Sequence, residues 1–301
     1  MNSIRNIILI GRTGNGKSTL GNVLINRNGR FEEVFSEGEF GVSQTHETKT
    51  EDFWENGIRY RIIDTVGIGD TEMTEQQVLY KIAEAAYKVR DGLNQVLFVT
   101  RGRFTKEEIF TYNLLREIIF DADIVNYTTI VRTNFSNFRN SSKCETDRAK
   151  MIGENPELSE VIRSCRKVVH VDNSPMNIDD ELELSVNERK REESRSKMLV
   201  HLTTNCYFNY KPRNLDDLNS RIANHMTEID KLQKQLREAS NLNEQQRRRM
   251  QNDIDELRSK VSHSTRGFFQ KTVGKVGEGV GWVADKAVQV VTYPVRKCDI
   301  M

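Results

Sequence analysis

The sequence predicts an α/β fold, in which a mostly parallel sheet is covered by helices and is followed by a long helical extension. Residues 4–208 alternate short apolar runs with longer amphipathic stretches, as strands and helices do in such a sheet. A glycine-rich stretch lies between the first of these runs and the first helix, where phosphate-binding proteins place it. After Pro212 apolar residues recur at spacings of three and four. These observations predict an α/β domain with a helical region attached.

Six short apolar runs are predicted as strands, and each lacks proline at positions where a sheet hydrogen bond is needed. They cover residues 7–10, 49–54, 60–64, 95–100, 128–132 and 168–171, and the second is expected to form a hairpin with the third. Amphipathic stretches between them are predicted as helices at residues 17–25, 74–90, 106–119 and 187–202. The α/β domain is therefore expected to occupy residues 1–210.

Composition limits the kinds of partner that the chain can have. Of its 301 residues 30% are charged, yet the formal net charge is only +1, so no global field attracts nucleic acid. The N-terminus lacks an apolar signal stretch, no segment is apolar enough to span a bilayer, and Asn2 excludes N-myristoylation. We therefore expect a cytoplasmic protein without a nucleic-acid partner. The cysteines lack the paired spacing of a zinc site or a disulfide framework, and they are Cys144, Cys165, Cys206 and Cys298.

The glycine-rich stretch at residues 11–18, here called the phosphate loop, satisfies the spacing G-x-x-x-x-G-K-[ST]. Its glycines allow backbone N–H groups to surround phosphates, and the helix that follows adds its dipole. Lys17 is expected to reach the β- and γ-phosphate oxygens, and Ser18 to supply a hydroxyl to Mg²⁺. The residues predicted to bind a nucleotide here are Gly11, Arg12, Thr13, Gly14, Asn15, Gly16, Lys17, Ser18 and Thr19.

A second Mg²⁺-linked residue is predicted where the third strand ends, in the sequence Asp64-Thr-Val-Gly67. Asp64 is expected to hold a metal-bound water, and the backbone N–H of Gly67 is expected to contact a γ-phosphate. A threonine between the two motifs is expected to close over the metal and the γ-phosphate. Thr45 is the first choice for this metal-binding and catalytic role, and Thr48 is the second.

The phosphate loop and two later stretches carry a family resemblance. The three read Gly11-Arg-Thr-Gly-Asn-Gly-Lys-Ser-Thr-Leu-Gly-Asn, Asp64-Thr-Val-Gly-Ile-Gly-Asp and Gly102-Arg-Phe-Thr-Lys-Glu-Glu108. Together they resemble the immunity-associated nucleotide-binding (GIMAP) GTPases, which have an avirulence-induced-gene type G domain and are relatives of the septins. The resemblance implies a Ras-like P-loop G domain that takes GTP or GDP with Mg²⁺. It also implies homodimers or oligomers formed through nucleotide-facing surfaces, often with membrane association.

The guanine-reading element departs from that family. The predicted strand at residues 128–132 is followed by Thr133-Asn-Phe-Ser136-Asn137, without the Asp that in relatives accepts hydrogen bonds from guanine. Ser136 or Asn137 could offer only a neutral acceptor. His170-Val-Asp-Asn173 resembles the next family element, in which Asn173 would contact the base, although a plain turn residue is the alternative.

The catalytic machinery also departs from the Ras pattern. Ile68 follows Asp64-x-x-Gly67, at the position where Ras-type enzymes carry a glutamine that orients the attacking water. Slow intrinsic hydrolysis is therefore expected. Related GTPases can supply an arginine across a dimer, and Arg103 is the candidate for this catalytic role. The alternative is that Arg103 is a solvated surface cation.

The last third of the chain is predicted to contain a helical or coiled-coil extension at residues 213–262 and an apolar, basic segment at residues 264–301. The seam residues 215–236 either self-associate or fold back along the G domain. Cys298-Asp-Ile-Met301 fits C-a-a-X, which makes Cys298 a candidate for prenylation. Residues 267–291 would then give a second membrane signal on the cytosolic face, or else pack on the G domain.

Two functional hypotheses follow. The first is a GTP-binding switch with slow hydrolysis, in which Mg²⁺ and GTP order Thr45 and residues 64–67 and promote dimerisation. The second is a nucleotide-gated scaffold with negligible hydrolysis, which Ile68 and the unusual residues 134–137 favour. An ATP-using enzyme is a more distant third.

Overall fold

A computed structural model describes residues 4–37, 48–68 and 75–211, together with residues 217, 218, 220, 222 and 224. Its strands are β1 Arg5–Gly11, β2 Lys49–Glu55, β3 Ile58–Asp64, β4 Gln95–Arg101, β5 Thr128–Thr133 and β6 Lys167–His170. Its α-helices are α1 Lys17–Ile25, α2 Glu75–Lys88, α3 Lys106–Leu114, α4 Ser141–Glu154, α5 Pro156–Ser164 and α6 Glu181–Asn205. A π-helical turn at Leu115–Ile119 continues α3, and short 3₁₀ turns lie at Arg27–Gly29 and Ala122–Tyr127.

The strands form one sheet in the order β2-β3-β1-β4-β5-β6. β2 runs antiparallel to β3, whereas the other neighbouring pairs are parallel. The β2–β3 hairpin turns at Asn56 and Gly57, whose φ angles are 49° and 74°, as a two-residue Asn-Gly turn requires. The predicted α/β class with a mostly parallel sheet is confirmed. Because β1 lies between β3 and β4, the loop after β1 opens at a switch point, where such sheets bind ligands.

The core has two layers, one on each face of the sheet. Alternate residues of β1 belong to different apolar clusters, with Ile7 and Leu9 on one side and Ile8 and Ile10 on the other, and all four are fully buried. Helices α1 and α6 complete the first cluster, and α2, α3 and α5 complete the second. Burial on both faces explains why these strands are almost continuously apolar in sequence.

The start of the predicted helical extension packs on this domain. Backbone hydrogen bonds of 2.7 Å run in both directions between Leu93 and Tyr210, which tie the end of the domain to the β4 side. Leu218 and Ile222 are helical and fully buried, and they belong to the cluster that contains α2 and α3. These two seam residues therefore fold back on the α/β core, whereas the rest of the proposed seam lies outside the described residues.

The other C-terminal predictions, including Cys298 and the segment at residues 264–301, also lie outside the described residues. The boundaries of the domains stay predictions. In the part of the chain that the structure describes, no helix is long and apolar enough to cross a membrane.

Candidate nucleotide-binding site

The phosphate loop lies at the carboxyl edge of the sheet, between β1 and α1. Gly11 passes so close to β4 that a Cβ there would lie 2.1 Å from the Val99 carbonyl oxygen. Gly16 has a φ of 84° and is the N-cap of α1, a conformation that suits glycine. α1 then begins at Lys17. The sequence therefore turns sharply from strand to helix and directs the N-terminus of α1 towards the loop, where an anion would be stabilised.

Hydrogen bonds to β4, β5 and α3 hold the phosphate loop in place. Thr133, the last residue of β5, donates its hydroxyl to the Asn15 carbonyl oxygen at 2.7 Å. The Asn15 amide donates to the Val99 carbonyl oxygen at 3.1 Å and to Glu108 Oε1 at 2.6 Å. These bonds are buried, so the loop is organised before any ligand arrives.

Ser18 and Asp64 form the candidate magnesium site. The Ser18 hydroxyl donates to Asp64 Oδ2 at 2.7 Å, and Asp64 is fully buried. Asp64 Oδ1 is buried as well and has no hydrogen-bond partner among the described residues. Burial raises the pKa of Asp64, and this outweighs the lowering by the Lys17 charge and by the Ser18 hydrogen bond.

This pair of oxygen ligands fits Mg²⁺, which prefers one or two protein oxygens and keeps several waters or phosphate oxygens. An unpartnered buried carboxylate oxygen is the group that a metal-bound water would satisfy. Within the described ranges, no cluster of three or more His, Cys, Asp and Glu side chains could hold a metal. Among the described residues, Ser18 and Asp64 are therefore the side chains that could hold Mg²⁺, and water, a bound phosphate or the predicted Thr45 would supply further oxygens. Lys17 lies beside the site, with its Nζ donating to the Arg12 carbonyl oxygen at 3.2 Å.

Ile68 is hydrogen-bonded to the phosphate loop, and Gly67 lies close against it. The Ile68 amide donates to the Gly11 carbonyl oxygen at 3.1 Å, and the Thr13 amide donates to the Ile68 carbonyl oxygen at 3.1 Å. A Cβ on Gly67 would lie 2.0 Å from Thr13 Oγ1 and 2.6 Å from Thr13 Cα, so only glycine fits against the loop. The Ile68 side chain is buried in the core. Because this side chain is a hydrocarbon, it has no polar group that could orient an attacking water.

Of the two threonine candidates for the metal site, Thr48 lies among the described residues and Thr45 does not. The role of Thr45 therefore stays a prediction. Thr48 is buried, and its Oγ1 has no hydrogen-bond partner in the described part of the chain. Lys49, the next residue, pairs with Asp64 in the β2–β3 register. Thr48 thus lies beside the candidate metal site, and Lys88 Nζ donates to its carbonyl oxygen at 3.0 Å.

Asn173 follows β6 at the same edge of the sheet. Its side-chain Oδ1 and Nδ2 are both buried, and neither has a hydrogen-bond partner among the residues described. Residues 171–175, here called the base loop, are braced by α6, because the Asp172 amide donates to the Ser194 hydroxyl at 3.0 Å. A buried amide without partners is rare in folded proteins and is suited to a polar ligand such as a nucleobase. Asn173 as a whole is partly buried, so base contact stays a prediction and a plain turn residue stays the alternative.

The loop after β5 supplies no carboxylate of its own. Ser136 and Asn137 are exposed and lie in a turn. The carboxylate of Asp147 on α4 lies beside the ends of β5 and β6, but it accepts from Arg132 Nε at 3.1 Å and is bonded to His170 Nε2 at 2.8 Å. Burial raises the pKa of Asp147, yet the hydrogen bonds from Arg132 and His170 outweigh it and the net shift is downward. Asp147 is thus engaged in an ionic cluster.

The box at residues 102–108 joins the surface to the phosphate loop. Arg103 is 84% exposed in its side chain and donates from Nε to Glu154 at 2.7 Å. No hydrogen bond joins it to the phosphate loop within the described residues. Thr105 and Glu108 form a capping box at the start of α3, and Glu108 also accepts from Asn15. Glu108 was not predicted as a site residue; the spacing Thr105-x-x-Glu108, which is typical of a capping box, is the signal that could have marked it.

Comparisons with known proteins support the predicted family resemblance. The sequence profile described as AIG1 family matches residues 5–188, more than half of the chain. Immune-associated nucleotide-binding protein 13 of Arabidopsis thaliana is 31% identical over 175 residues, which are 56% of this chain and 49% of that protein. Immune-associated nucleotide-binding protein 7 of the same plant is 34% identical over 130 residues, 42% of this chain and 40% of that protein.

A solved structure with a similar fold is Toc33 from Arabidopsis thaliana in complex with GDP and Mg²⁺. It is 21% identical, with a TM-score of 0.46, and the match covers 70% of this chain and 88% of Toc33. The chain spans about half, or less, of the length of the curated relatives that it matches. The family profile, which covers the phosphate loop, the Asp64–Gly67 motif and the base loop, nevertheless decides the assignment. This chain belongs to the AIG1 family.

Proposed function

We propose that this chain is a guanine-nucleotide-binding switch that hydrolyses GTP slowly. The observation that carries the proposal is the braced phosphate loop with Ser18 and the spare buried oxygen of Asp64 beside it. The family relatives named above are nucleotide-binding proteins by name, which agrees with this site. Ser18 and Asp64 would hold an Mg²⁺ ion here, and the ion would supply charge neutralisation to bound phosphates.

The chain's own residues bind and orient the nucleotide. The backbone of the phosphate loop and the N-terminus of α1 surround the phosphates, and the Lys17 ammonium contacts the β- and γ-oxygens. Ser18 and Asp64 would hold Mg²⁺, with Asp64 expected to act through a water. Gly67, which lies directly against Thr13, offers its N–H to a γ-phosphate. Asn173 contacts the base with its unpartnered amide.

Slow hydrolysis follows from the residues that surround the γ-phosphate position. Ile68 is a core residue, so the position after Gly67 offers no polar side chain that could orient water. Arg103 is exposed and therefore accessible to a second copy of the chain. Dimerisation through the nucleotide-facing surfaces would place an arginine across the interface, which can accelerate hydrolysis strongly. Attachment to a membrane through Cys298 belongs to the same proposal and would favour dimers at the surface.

A nucleotide-gated scaffold with negligible hydrolysis is the second candidate, and the buried Ile68 favours it. Turnover per site, measured over a range of protein concentrations with wild type and Arg103→Ala, separates the two. Activity that rises with concentration and is lost in Arg103→Ala supports the slow switch. Flat, negligible activity in both proteins supports the scaffold.

The binding claim is tested by identifying the nucleotide that copurifies with the full chain and by titrating Lys17→Ala with GDP and GTP. We expect guanine nucleotide in the wild type and an affinity loss of about 100-fold in Lys17→Ala, because a buried charge pair to phosphate is removed. Lys81→Ala is the matched control, since Lys81 lies on α2 and pairs with Glu84. Unchanged nucleotide binding in Lys17→Ala would refute the proposal.

A further inference from the structure

Arg191 on α6 joins two segments of the candidate site. Among the described residues, Arg191 is the largest side chain that is fully buried, with 1% of its surface exposed. Its Nε donates to the Ser174 carbonyl oxygen at 2.8 Å, next to Asn173 in the base loop. Its Nη1 and Nη2 donate to the Glu37 carboxylate at 3.3 and 3.0 Å. One guanidinium therefore contacts both the base loop and the segment that precedes Thr45 and Thr48 in the chain.

Glu37 is itself fixed to α1 through residues 34–37, here called the anchor segment. Asn22 on α1 is fully buried and uses its whole amide there. Its Oδ1 accepts from the backbone N–H groups of Val34 and Phe35 at 3.0 and 2.8 Å. Its Nδ2 donates to the Phe35 carbonyl oxygen and to Glu37 Oε1, each at 2.8 Å. Because α1 begins with Lys17 and Ser18, the anchor segment is held by the helix that carries both phosphate-site side chains.

The base loop depends on α6 for its position. Arg191 holds the Ser174 carbonyl oxygen, and Asn187 Nδ2 donates to the Pro175 carbonyl oxygen at 2.9 Å. Lys190 also donates to Ser174 Oγ at 3.1 Å and pairs with Asp172 at 3.4 Å. The Asn173 side-chain amide has no partner of its own among the described residues, so its position depends on how these neighbours are held.

We propose that Arg191 is a positioning residue that couples the anchor segment to the base loop. This inference rests on the proposed function, because it concerns how Asn173 is presented to a nucleobase. A buried guanidinium that loses its carboxylate is strongly destabilised and must move towards another acceptor or towards water. When Glu37 is disengaged, Arg191 releases Ser174 and Asn173 loses its orientation. When Glu37 is engaged, both segments are held together, so base binding and the position of the anchor segment are thermodynamically linked.

The chain offers a close control for this coupling. Arg195 lies one helical turn further along α6 and forms the same type of ion pair, with Nη2 at 2.7 Å from Glu55. Its Nε donates to the Leu24 carbonyl oxygen at 3.1 Å, and no hydrogen bond joins it to the base loop in the described part of the chain. Glu37→Gln and Glu55→Gln therefore each remove a carboxylate charge from an arginine of α6, with the Arg195 side chain 19% exposed and the Arg191 side chain 2%. Only the first substitution should affect Asn173.

Hydrogen exchange on the nucleotide-free full chain tests the coupling without any ligand. The Asp172 amide, which donates to Ser194 Oγ at 3.0 Å, reports on the base loop. We expect Glu37→Gln to speed exchange in residues 171–174 by about tenfold, within the usual range of coupling between sites, and Glu55→Gln to leave it unchanged. Arg191→Lys, which keeps the charge but loses the planar fork, should act as Glu37→Gln does. Equal exchange in Glu37→Gln and Glu55→Gln would overturn the proposal.

A second measurement compares GDP with inorganic triphosphate, which has no base. Glu37→Gln is expected to lower GDP affinity about tenfold and to leave triphosphate affinity unchanged, because only base contact depends on the coupling. Equal losses for both ligands would show that Glu37 acts on the phosphate loop and would contradict the proposal. If the wild-type chain binds neither ligand, the proposed function fails, while the exchange result still decides whether the two segments are coupled.

Discussion

Glu108 offers a quantitative test of how the phosphate loop is held. The residue is 1% exposed, and each carboxylate oxygen accepts one bond, from Asn15 Nδ2 at 2.6 Å and from the Thr105 amide at 2.8 Å. Glu108→Gln keeps the shape of the side chain but turns one acceptor into a donor. Whichever way the new amide is oriented, one of the two buried donors then faces an N–H group and is left unsatisfied.

The cost of that unsatisfied donor sets the expected effect. A buried donor without an acceptor costs about 1–3 kcal/mol, so we expect Glu108→Gln to lower the free energy of unfolding by about 2 kcal/mol. Nucleotide affinity should fall by up to about tenfold, because the Asn15 side chain and the loop that carries it lose a fixed position. Urea denaturation and a fluorescent-GDP titration measure the two quantities on the same preparations.

Thr105→Ala is the matched control for Glu108→Gln. It removes the hydroxyl that accepts from the Glu108 amide at 3.2 Å but leaves the Asn15–Glu108 bond in place. Loss of an N-cap side chain costs about 1 kcal/mol, so stability should fall while GDP affinity stays unchanged. If both variants lose stability and neither loses affinity, Glu108 is only a helix cap and the reasoning on the phosphate loop is wrong.

Three further predictions concern the base and the pH. Asn137→Asp should raise the preference for GDP over ADP by about tenfold, because a carboxylate accepts stronger hydrogen bonds from guanine than a neutral amide does. Competition titrations of GDP against ADP measure this preference. An unchanged ratio of affinities would show that residue 137 does not reach the base. Asn173→Ala should lower GDP affinity by about tenfold and leave the melting temperature nearly unchanged. The reason is that the Asn173 side-chain amide has no hydrogen bond to lose among the described residues. A large loss of stability would show that Asn173 is structural. Burial and the nearby Lys167 and Arg166 charges lower the pKa of His201 to about 4. Because this folded-state pKa is below the unfolded value of about 6.5, the neutral histidine contributes stability above pH 6.5 that is lost as the pH falls towards 4. Between pH 7 and pH 5, the titration of His201 should lower the free energy of unfolding by about 2 kcal/mol. An equal drop in His201→Gln would show that His201 is not the group responsible.

The strands were predictable because burial on both faces leaves little ambiguity in their sequences. All six predicted strands are present, with bounds that differ by a few residues at most. The predicted helix at residues 17–25 is confirmed as α1, and the one at residues 106–119 comprises α3 and the π-helical turn that continues it. Each of these helices begins at a sequence feature that is specific, the phosphate loop in one case and the Thr105–Glu108 capping box in the other.

Helices α4 and α5 were missed, and the reason lies in how little of them is apolar and buried. Met151 is the buried residue of α4 among the described residues, and the rest of the helix is mostly polar. The α4 sequence therefore carries no apolar stripe. α5 is only nine residues long, although Asn155 caps it and Pro156 occupies its first turn, which are usable start signals. The last helix was placed too late, because Leu182 and Val186 in its first two turns are exposed.

The site was predictable where its residues stand in recognisable motifs, and not where a contact joins residues that no such motif links. Spacing alone identified the phosphate loop and the Asp64–Gly67 motif, and the structure brings Ser18 and Asp64 together at 2.7 Å. By contrast, the Asn15–Glu108 bond joins residues 93 positions apart, and the Glu37–Arg191 pair joins residues 154 positions apart. No periodicity or local motif encodes such pairs, so only the fold reveals them.

These distant pairs also include buried charged side chains that hold the loops of the site in place. Glu108, Arg191 and Asp64 are buried ionic or ionisable side chains, and each is connected to the phosphate loop or to the base loop. Buried charges add little net stability, since desolvation offsets most of their attraction, but removing one partner is strongly destabilising. Their placement at one edge of the sheet therefore fixes loop geometry at the expense of stability. It follows that substitutions of these residues should lower stability and nucleotide affinity together, and that Asn173, whose amide bonds to no other described residue, is the position where affinity can be lost alone.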